Sequence, residues 1–188
     1  MYSDRRMEQS LKTIVWNQFG AAVDSLERAI EMCPDHVWSD PTLWQDTTQK
    51  TLESYKPEFW YIAYHVLFWT DYYLSNETEE SFRPPAPYTM KEFDERGLVP
   101  PRVYSKEELL KYLRFCREKL RTRINAMTEQ LFFENTKTTY REGFSNLEVF
   151  LYNMRHVQHH MAQLNLLLRQ RIDDAPKWVG RTKHSLSD

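Results

Sequence analysis

Three of the six histidines in this 188-residue chain lie close together, at positions 156, 159 and 160. Residues four apart in a helix lie one turn apart on the same face, so the imidazoles of His156 and His160 can converge on one ion. A helix turns about 100° per residue. Measured from Val157, a member of the apolar stripe, His160 lies about 60° and His156 about 100° to the same side, whereas His159 lies near 200°. We therefore predict that His156 and His160 flank a cleft and that His159 faces solvent.

A fourth histidine, His65, interrupts the most apolar segment of the chain, Phe59 to Trp69. A neutral imidazole buried there needs a partner for both ring nitrogens, and a metal ion supplies one of them. The alternative is a hydrogen-bonded core histidine. Taken together, His65, His156 and His160 predict a three-histidine site for a divalent metal, with water in the remaining positions. The residues between the pair are V-Q-H, so the H-E-x-x-H motif of zinc proteases is excluded.

An open metal site of this kind acidifies a bound water or thiol, and it then needs a proton acceptor and groups that hold the substrate. Helical phase places four candidates on the cleft side, namely Glu58, Tyr61, Tyr152 and Gln163. Gln163 follows His160 by one turn and can orient a ligand or a water. Ordinary packing or a surface contact is the alternative for each of the four.

The elements that carry these residues are helices, because apolar residues recur at steps of three and four. We predict four of them, at residues 6–32, 57–74, 105–131 and 145–172. Four glycines in the whole chain and no alternating strand pattern argue against a sheet. The predicted fold is therefore all-α, a four-helix bundle in one domain spanning residues 1–188.

A long connection, residues 76–104, joins the second and third predicted helices and contains five prolines. Irregular segments of this length are uncommon unless they form lids or binding loops or are disordered. Phe82, Tyr88 and Phe93 indicate that this one packs against the bundle. We expect it to lie near the mouth of the histidine cleft and to limit access, with a dimer contact as the alternative. The last residues, 173–188, form a polar tail.

Charge excludes some classes of function. The net charge of −2 gives no general attraction to nucleic acid or to an anionic membrane. One face of the third helix is basic, and it carries Lys111, Arg114, Arg117 and Arg121. It could meet an acidic partner, but we interpret it as a solvated surface. The first residues contain no apolar leader, so the cytoplasm is the default compartment. The two cysteines form no C-x-x-C motif, and Cys116 falls on an apolar stripe, which predicts a buried thiol.

Two segments resemble the DinB/YfiT-like superfamily: A-Y-H-V-L-F-W at residues 63–69 and R-H-V-Q-H-H-M-A-Q-L at residues 155–164. The P-K-W at residues 176–178 is also similar. The resemblance implies a four-helix bundle, commonly dimeric, in which His65, His156 and His160 bind nickel, zinc or a similar ion. Its characterised members include S-transferases and a maleylpyruvate isomerase that use bacillithiol or mycothiol, and proposed metal-dependent hydrolases.

The leading hypothesis is therefore a metal-dependent thiol S-transferase or hydrolase that acts on a small electrophilic substrate. Thiol transfer is slightly favoured, because three neutral imidazoles leave the charge of the ion uncompensated and an anionic thiolate is then a favourable ligand. One alternative is a non-catalytic metal-binding protein with a regulatory or stress-response role, in which the site is closed. Another is a plain helical interaction module with structural histidines.

Overall fold

The computed structural model describes residues 2–43, 58–94, 100–138 and 141–187. In these ranges the chain forms six α-helices and no strand. The helices are α1 (Tyr2–Met32), α2 (Asp35–Trp38), α3 (Phe59–Ser75), α4 (Lys106–Asn125), α5 (Glu129–Phe133) and α6 (Asn146–Ile172). None of the described helices is both long enough and apolar enough to cross a membrane.

The four long helices pack as a bundle with a continuous apolar core. The main contacts are between α1 and α6, α6 and α3, α3 and α4, and α4 and α1, so each long helix has two principal neighbours. The core contains large fully buried side chains such as Trp16, Phe19, Phe59, Phe68 and Tyr72. The predicted all-α bundle is confirmed. The packing of α3 against α6 brings together the two helices that carry the three candidate ligands.

The two helices whose starts were predicted most accurately, α4 and α6, each begin with a capping box. The Ser105 hydroxyl accepts a hydrogen bond from the backbone N–H of Glu108, and the Glu108 carboxylate accepts one from the N–H of Ser105. Ser145 and Glu148 repeat the arrangement at the start of α6. Each reciprocal pair satisfies two N–H groups that would otherwise lack partners, which fixes where the helix begins.

Some predicted boundaries were wrong. The third predicted helix, 105–131, is two helices, because α4 ends at Asn125 and α5 starts after Thr128. The Thr128 hydroxyl accepts a hydrogen bond from the N–H of Leu131, so it caps a new helix. The short helix α2, which follows Pro34, was not predicted. The first helix begins at Tyr2 rather than residue 6, and the predicted start of the second, residue 57, lies outside the described residues.

The long connection packs against the bundle, as its aromatic residues predicted. Its described parts, 76–94 and 100–104, contain one 3-10 turn, Lys91–Phe93, and are otherwise irregular. Phe82 and Tyr88 are buried. The Phe93 ring packs edge-on against Phe68, with ring centroids 5.0 Å apart. The turn at residues 91–93 is therefore held against α3.

The basic face predicted on α4 is not wholly solvated. Lys111 and Arg114 are exposed, but Arg117 is buried. Its Nη2 lies 3.1 Å from a carboxylate oxygen of Asp24 and 2.6 Å from one of Glu27, both on α1. The prediction was wrong at Arg117, which joins α4 to α1 through ion pairs.

The polar tail lies against α1. The N–H of Thr182 donates to the carbonyl of Asn17 at 3.1 Å, and the indole of Trp16 donates to the carbonyl of His184 at 2.7 Å. Gly20 allows this approach, since a Cβ there would lie 2.8 Å from the Thr182 side chain. Trp178 does not join the core and is 77% exposed.

Candidate metal centre

Three histidines meet where α3 packs against α6. His65 comes from α3, and His156 and His160 come from successive turns of α6. One ring nitrogen of each lies within 4.8 Å of those of the other two. All three imidazoles are partly buried, whereas His159 is exposed. Helical phase from sequence therefore separated the two neighbours His159 and His160 correctly.

The spacing of the nitrogens suits a metal ion. The Nε2 atoms of His65 and His156 face each other at 3.2 Å. Two nitrogens that each lie about 2.0–2.1 Å from a tetrahedral zinc ion are roughly 3.3–3.4 Å apart. The pair is therefore close to the separation that shared coordination requires, although 91 residues separate the two histidines in sequence.

The second nitrogen of His65 is bound by a buried carboxylate. Its Nδ1 donates to Oε2 of Glu92 at 2.6 Å. The same carboxylate accepts from the hydroxyl of Tyr61 at 2.7 Å and from the indole N–H of Trp69 at 2.9 Å. Only 4% of the Glu92 side chain is exposed. Glu92 belongs to the 3-10 turn, so the long connection contacts the site directly; that it limits access stays a prediction.

The outer nitrogens of the other two histidines differ. The Nδ1 of His160 donates to Oε1 of Gln163 at 2.7 Å, which leaves Nε2 free to face an ion. The Nδ1 of His156 is buried and makes no hydrogen bond with the part of the chain that the structure describes. His65 and His160 are thus oriented by side-chain acceptors, and His156 is held by packing.

The surroundings keep the two α6 imidazoles neutral. Burial, together with the neighbouring histidines, lowers the pKa of His156 to about 2. Burial and the proximity of His65 lower the pKa of His160 to about 4, although the hydrogen bond to Gln163 acts in the opposite direction. Burial tends to raise the pKa of Glu92, but the hydrogen bonds from His65, Tyr61 and Trp69 outweigh it and leave that pKa below its ordinary value. Neutral imidazoles beside an ionised carboxylate are the protonation states that a divalent ion requires.

The four predicted catalytic residues have different surroundings. Gln163 contacts His160, and Tyr61 contacts Glu92. Glu58 lies at the start of α3 and accepts a hydrogen bond from Trp60. Tyr152 accepts one from Arg141, whose guanidinium carbon lies 3.9 Å from the centre of the Tyr152 ring. Neither Glu58 nor Tyr152 has a hydrogen bond to the three histidines within the described ranges.

Sequence reasoning missed Glu92 and Arg141. The signal for Glu92 was indirect: Tyr61, His65 and Trp69 put three hydrogen-bond donors on one face of α3, which calls for an acceptor. Arg141 donates to the hydroxyl of Tyr73 at 3.1 Å, and the Tyr73 ring meets the His156 ring edge-on at 6.4 Å. Nothing in the spacing of residues indicated its position.

A second group of possible ligands, Asp24, Glu27 and His184, lies where the tail meets α1. Both carboxylates pair with the buried Arg117, and Asp24 also accepts from the Thr182 hydroxyl at 2.7 Å. Since both carboxylates already pair with the guanidinium of Arg117, which joins α4 to α1, we interpret this group as an ion-pair cluster between helices.

Comparison with known proteins identifies one family. A family model described as the DinB superfamily matches residues 18–164, which include all three histidines and most of the chain. No curated protein and no solved structure gives a significant match.

Proposed function

The chain belongs to the DinB superfamily, and from that membership and the histidine geometry we propose that it binds one divalent transition-metal ion, nickel or zinc. The ligands are Nε2 of His65, Nε2 of His156 and Nε2 of His160. The observation that carries the proposal is the convergence of one nitrogen from each imidazole within 4.8 Å. Imidazole is a common ligand for both metals.

We further propose that the metal centre is catalytic, as a thiol S-transferase or a hydrolase acting on a small electrophile. A bound ion would lower the pKa of a coordinated thiol or water and so supply a nucleophile at neutral pH. The protein's own part is to hold the three imidazoles in place and to keep those of His156 and His160 neutral. Gln163 supports this by fixing the ring of His160, and Tyr61 by donating to Glu92. Within the described part of the chain, Glu58 and Tyr152 make no hydrogen bond to the three histidines, so their role in proton transfer rests on helical phase alone.

The thiol, if one is used, has to come from outside the chain. Both cysteines are buried. Burial raises the pKa of Cys33 to about 12 and raises that of Cys116 well above its ordinary value. A thiolate is the nucleophilic form, so neither residue is suited to attack a substrate. A low-molecular-weight thiol of the bacillithiol type fits this requirement and the family resemblance.

The remaining parts of the proposal are the cytoplasm as compartment and a homodimer as assembly; the homodimer is proposed from the resemblance to the superfamily. Light scattering of the purified protein tests the assembly: a mass of two chains supports it, and a mass of one chain contradicts it.

The reaction is tested with protein loaded with zinc or nickel, a series of small thiols, and a chlorodinitroarene as electrophile. We expect conjugation faster than with the His156→Ala variant, and we expect the His159→Ala variant to match the wild type because His159 is exposed. Conjugation no faster than with His156→Ala, for every thiol tried, would remove the transferase assignment and leave hydrolysis or a non-catalytic role.

A further inference from the structure

We propose that Glu92, carried by the long connection between α3 and α4, is a positioning residue that sets the tautomer and direction of His65 for the metal ion. This inference rests on the proposed metal site. It assigns a function to a turn, Lys91–Phe93, that lies outside the helices of the bundle.

The hydrogen bonds around Glu92 leave one arrangement for His65. Tyr61, His65 and Trp69 follow one another at intervals of four residues on α3, and all three donate to the one carboxylate. A carboxylate only accepts, so Nδ1 of His65 must carry its hydrogen. In the neutral form of the ring, which is the form that binds a metal, the lone pair is then on Nε2, the atom that faces His156 at 3.2 Å. An acceptor on the outer nitrogen fixes the orientation of a metal-binding histidine and makes it a more basic ligand.

The turn that carries Glu92 is held in place by packing. Phe93 packs edge-on against Trp69 and Tyr72, with ring centroids 5.4 Å and 4.9 Å apart. Thr89, which precedes the turn in the same connection, accepts a hydrogen bond on its carbonyl from the hydroxyl of Tyr64 on α3 at 2.7 Å. The carboxylate is therefore presented to His65 by a fixed segment, as a positioning role requires.

The three histidines are not supported equally. His160 is held by the neutral amide of Gln163, and His156 makes no Nδ1 hydrogen bond with the described residues. Glu92 is the one carboxylate that hydrogen-bonds any of the three among the described residues. Removal of the Glu92 carboxylate should therefore lower the metal affinity more than removal of the Gln163 amide would.

A merely structural role for Glu92, anchoring the connection to α3, makes a different prediction. It would lower the stability of the metal-free protein but leave the coordination of a bound ion unchanged. The spectrum of a cobalt(II)-substituted protein reports that coordination directly, so it separates the two roles.

The experiment compares the full chain with the variants Glu92→Gln and Glu92→Ala. The control is Asp94→Asn, which removes the same charge from the same connection at a carboxylate that pairs with Lys91. Zinc affinity is measured by competition with a chelator, and the cobalt(II) form is examined by absorption spectroscopy. We expect Glu92→Ala to bind zinc roughly 10–100-fold more weakly and to shift the cobalt(II) bands. Glu92→Gln, which keeps an acceptor oxygen, should fall between it and the wild type, and Asp94→Asn should match the wild type.

Wild-type affinity and an unchanged cobalt(II) spectrum in both Glu92 variants would overturn the inference and leave the metal site intact. If Glu92→Ala does not fold, Glu92→Gln alone decides by the same two measurements. A wild-type protein that binds neither zinc nor cobalt(II) would instead overturn the proposed function, and this inference with it.

Discussion

At the level of single residues, the surroundings of His156 and His160 favour the neutral rings that the proposed metal site requires. Burial lowers the pKa of His156 to about 2 and that of His160 to about 4. An ion that binds near neutral pH therefore displaces no proton from these two rings. Metal affinity normally falls when ligands must first be deprotonated, so this environment favours binding.

The same pKa shifts predict how the stability of the metal-free protein depends on pH. Above about pH 6.5, the ordinary pKa of histidine, both rings are neutral in the folded and unfolded states. As the pH falls towards 4, the unfolded chain binds protons at His156 and His160 while the folded protein does not, so the free energy of unfolding decreases. Chemical denaturation in the presence of a chelator, at a series of pH values from 7 to 4.5, measures this decrease.

Carboxylates also titrate towards acid pH, so the comparison that matters is between variants. The double variant His156→Gln, His160→Gln should show a shallower decrease than the wild type. His159→Gln, which alters an exposed ring, should keep the wild-type slope. Identical slopes in all three proteins would mean that the two rings are not held neutral by their surroundings.

The neighbours His159 and His160 give a second residue-level prediction. His160→Ala removes a proposed ligand and should weaken metal binding by more than the 10–100-fold typical of an outer partner. His159→Ala should bind metal as the wild type does, because its ring is exposed. Isothermal titration with zinc measures both. Equal losses in the two variants would contradict the assignment of ligands on α6.

At the level of elements, the buried ion pairs between α4 and α1 are a point of high sensitivity. The side chain of Arg117 is 5% exposed and lies between Asp24 and Glu27. Removing one partner leaves buried charge uncompensated, so Arg117→Ala should lower the free energy of unfolding by about 3–5 kcal/mol. Arg114→Ala, at an exposed position on the same helix, should change it by no more than about 0.5 kcal/mol. Urea denaturation measures both, and similar small effects would show that the pairs contribute little.

Sequence predicted the helices well where local chemistry determines them. The capping boxes at Ser105 and Ser145 fixed two starts, because the residues that satisfy the free N–H groups lie three positions apart. The break after Asn125 was missed because the apolar stripe continues through it: Met127 is buried although it lies between α4 and α5. A hydrophobic pattern indicates which side of a helix faces the core. It does not reveal a break between two helices when the apolar residues on both sides of the break still face the core.

The contacts missed in sequence join residues far apart in the chain. Arg117 belongs to the same row of basic residues as the exposed Arg114, so the sequence does not distinguish the two. Only the packing of α1 against α4 brings two carboxylates to Arg117. Glu92 lies in a three-residue 3-10 turn, 27 residues from His65, which is too short for a periodic pattern to indicate the direction of its side chain. The convergence of the three proposed ligands was accessible to prediction, because two lie on one helix at a four-residue interval and the third interrupts an apolar segment.

At the level of the whole molecule, the candidate metal centre connects α3 and α6 at a distance of 91 residues in sequence. An ion that binds only the folded chain adds its binding free energy to stability, about 2.7 kcal/mol when the free ion is at 100 times its dissociation constant. For a protein of this size, that corresponds to an increase in Tm of roughly 5–10 °C. Thermal denaturation with and without zinc measures it, and a variant lacking all three histidines should show no increase.

The most direct measurement of the central claim is the metal content of the purified chain. The protein is stripped with a chelator, loaded with zinc or nickel, desalted and analysed for its elements, beside a variant with His65, His156 and His160 replaced by alanine. We predict one ion per chain in the wild type and none in the variant. A wild type that retains neither metal, or a variant that retains one ion per chain, would contradict the assignment of these histidines as a metal site.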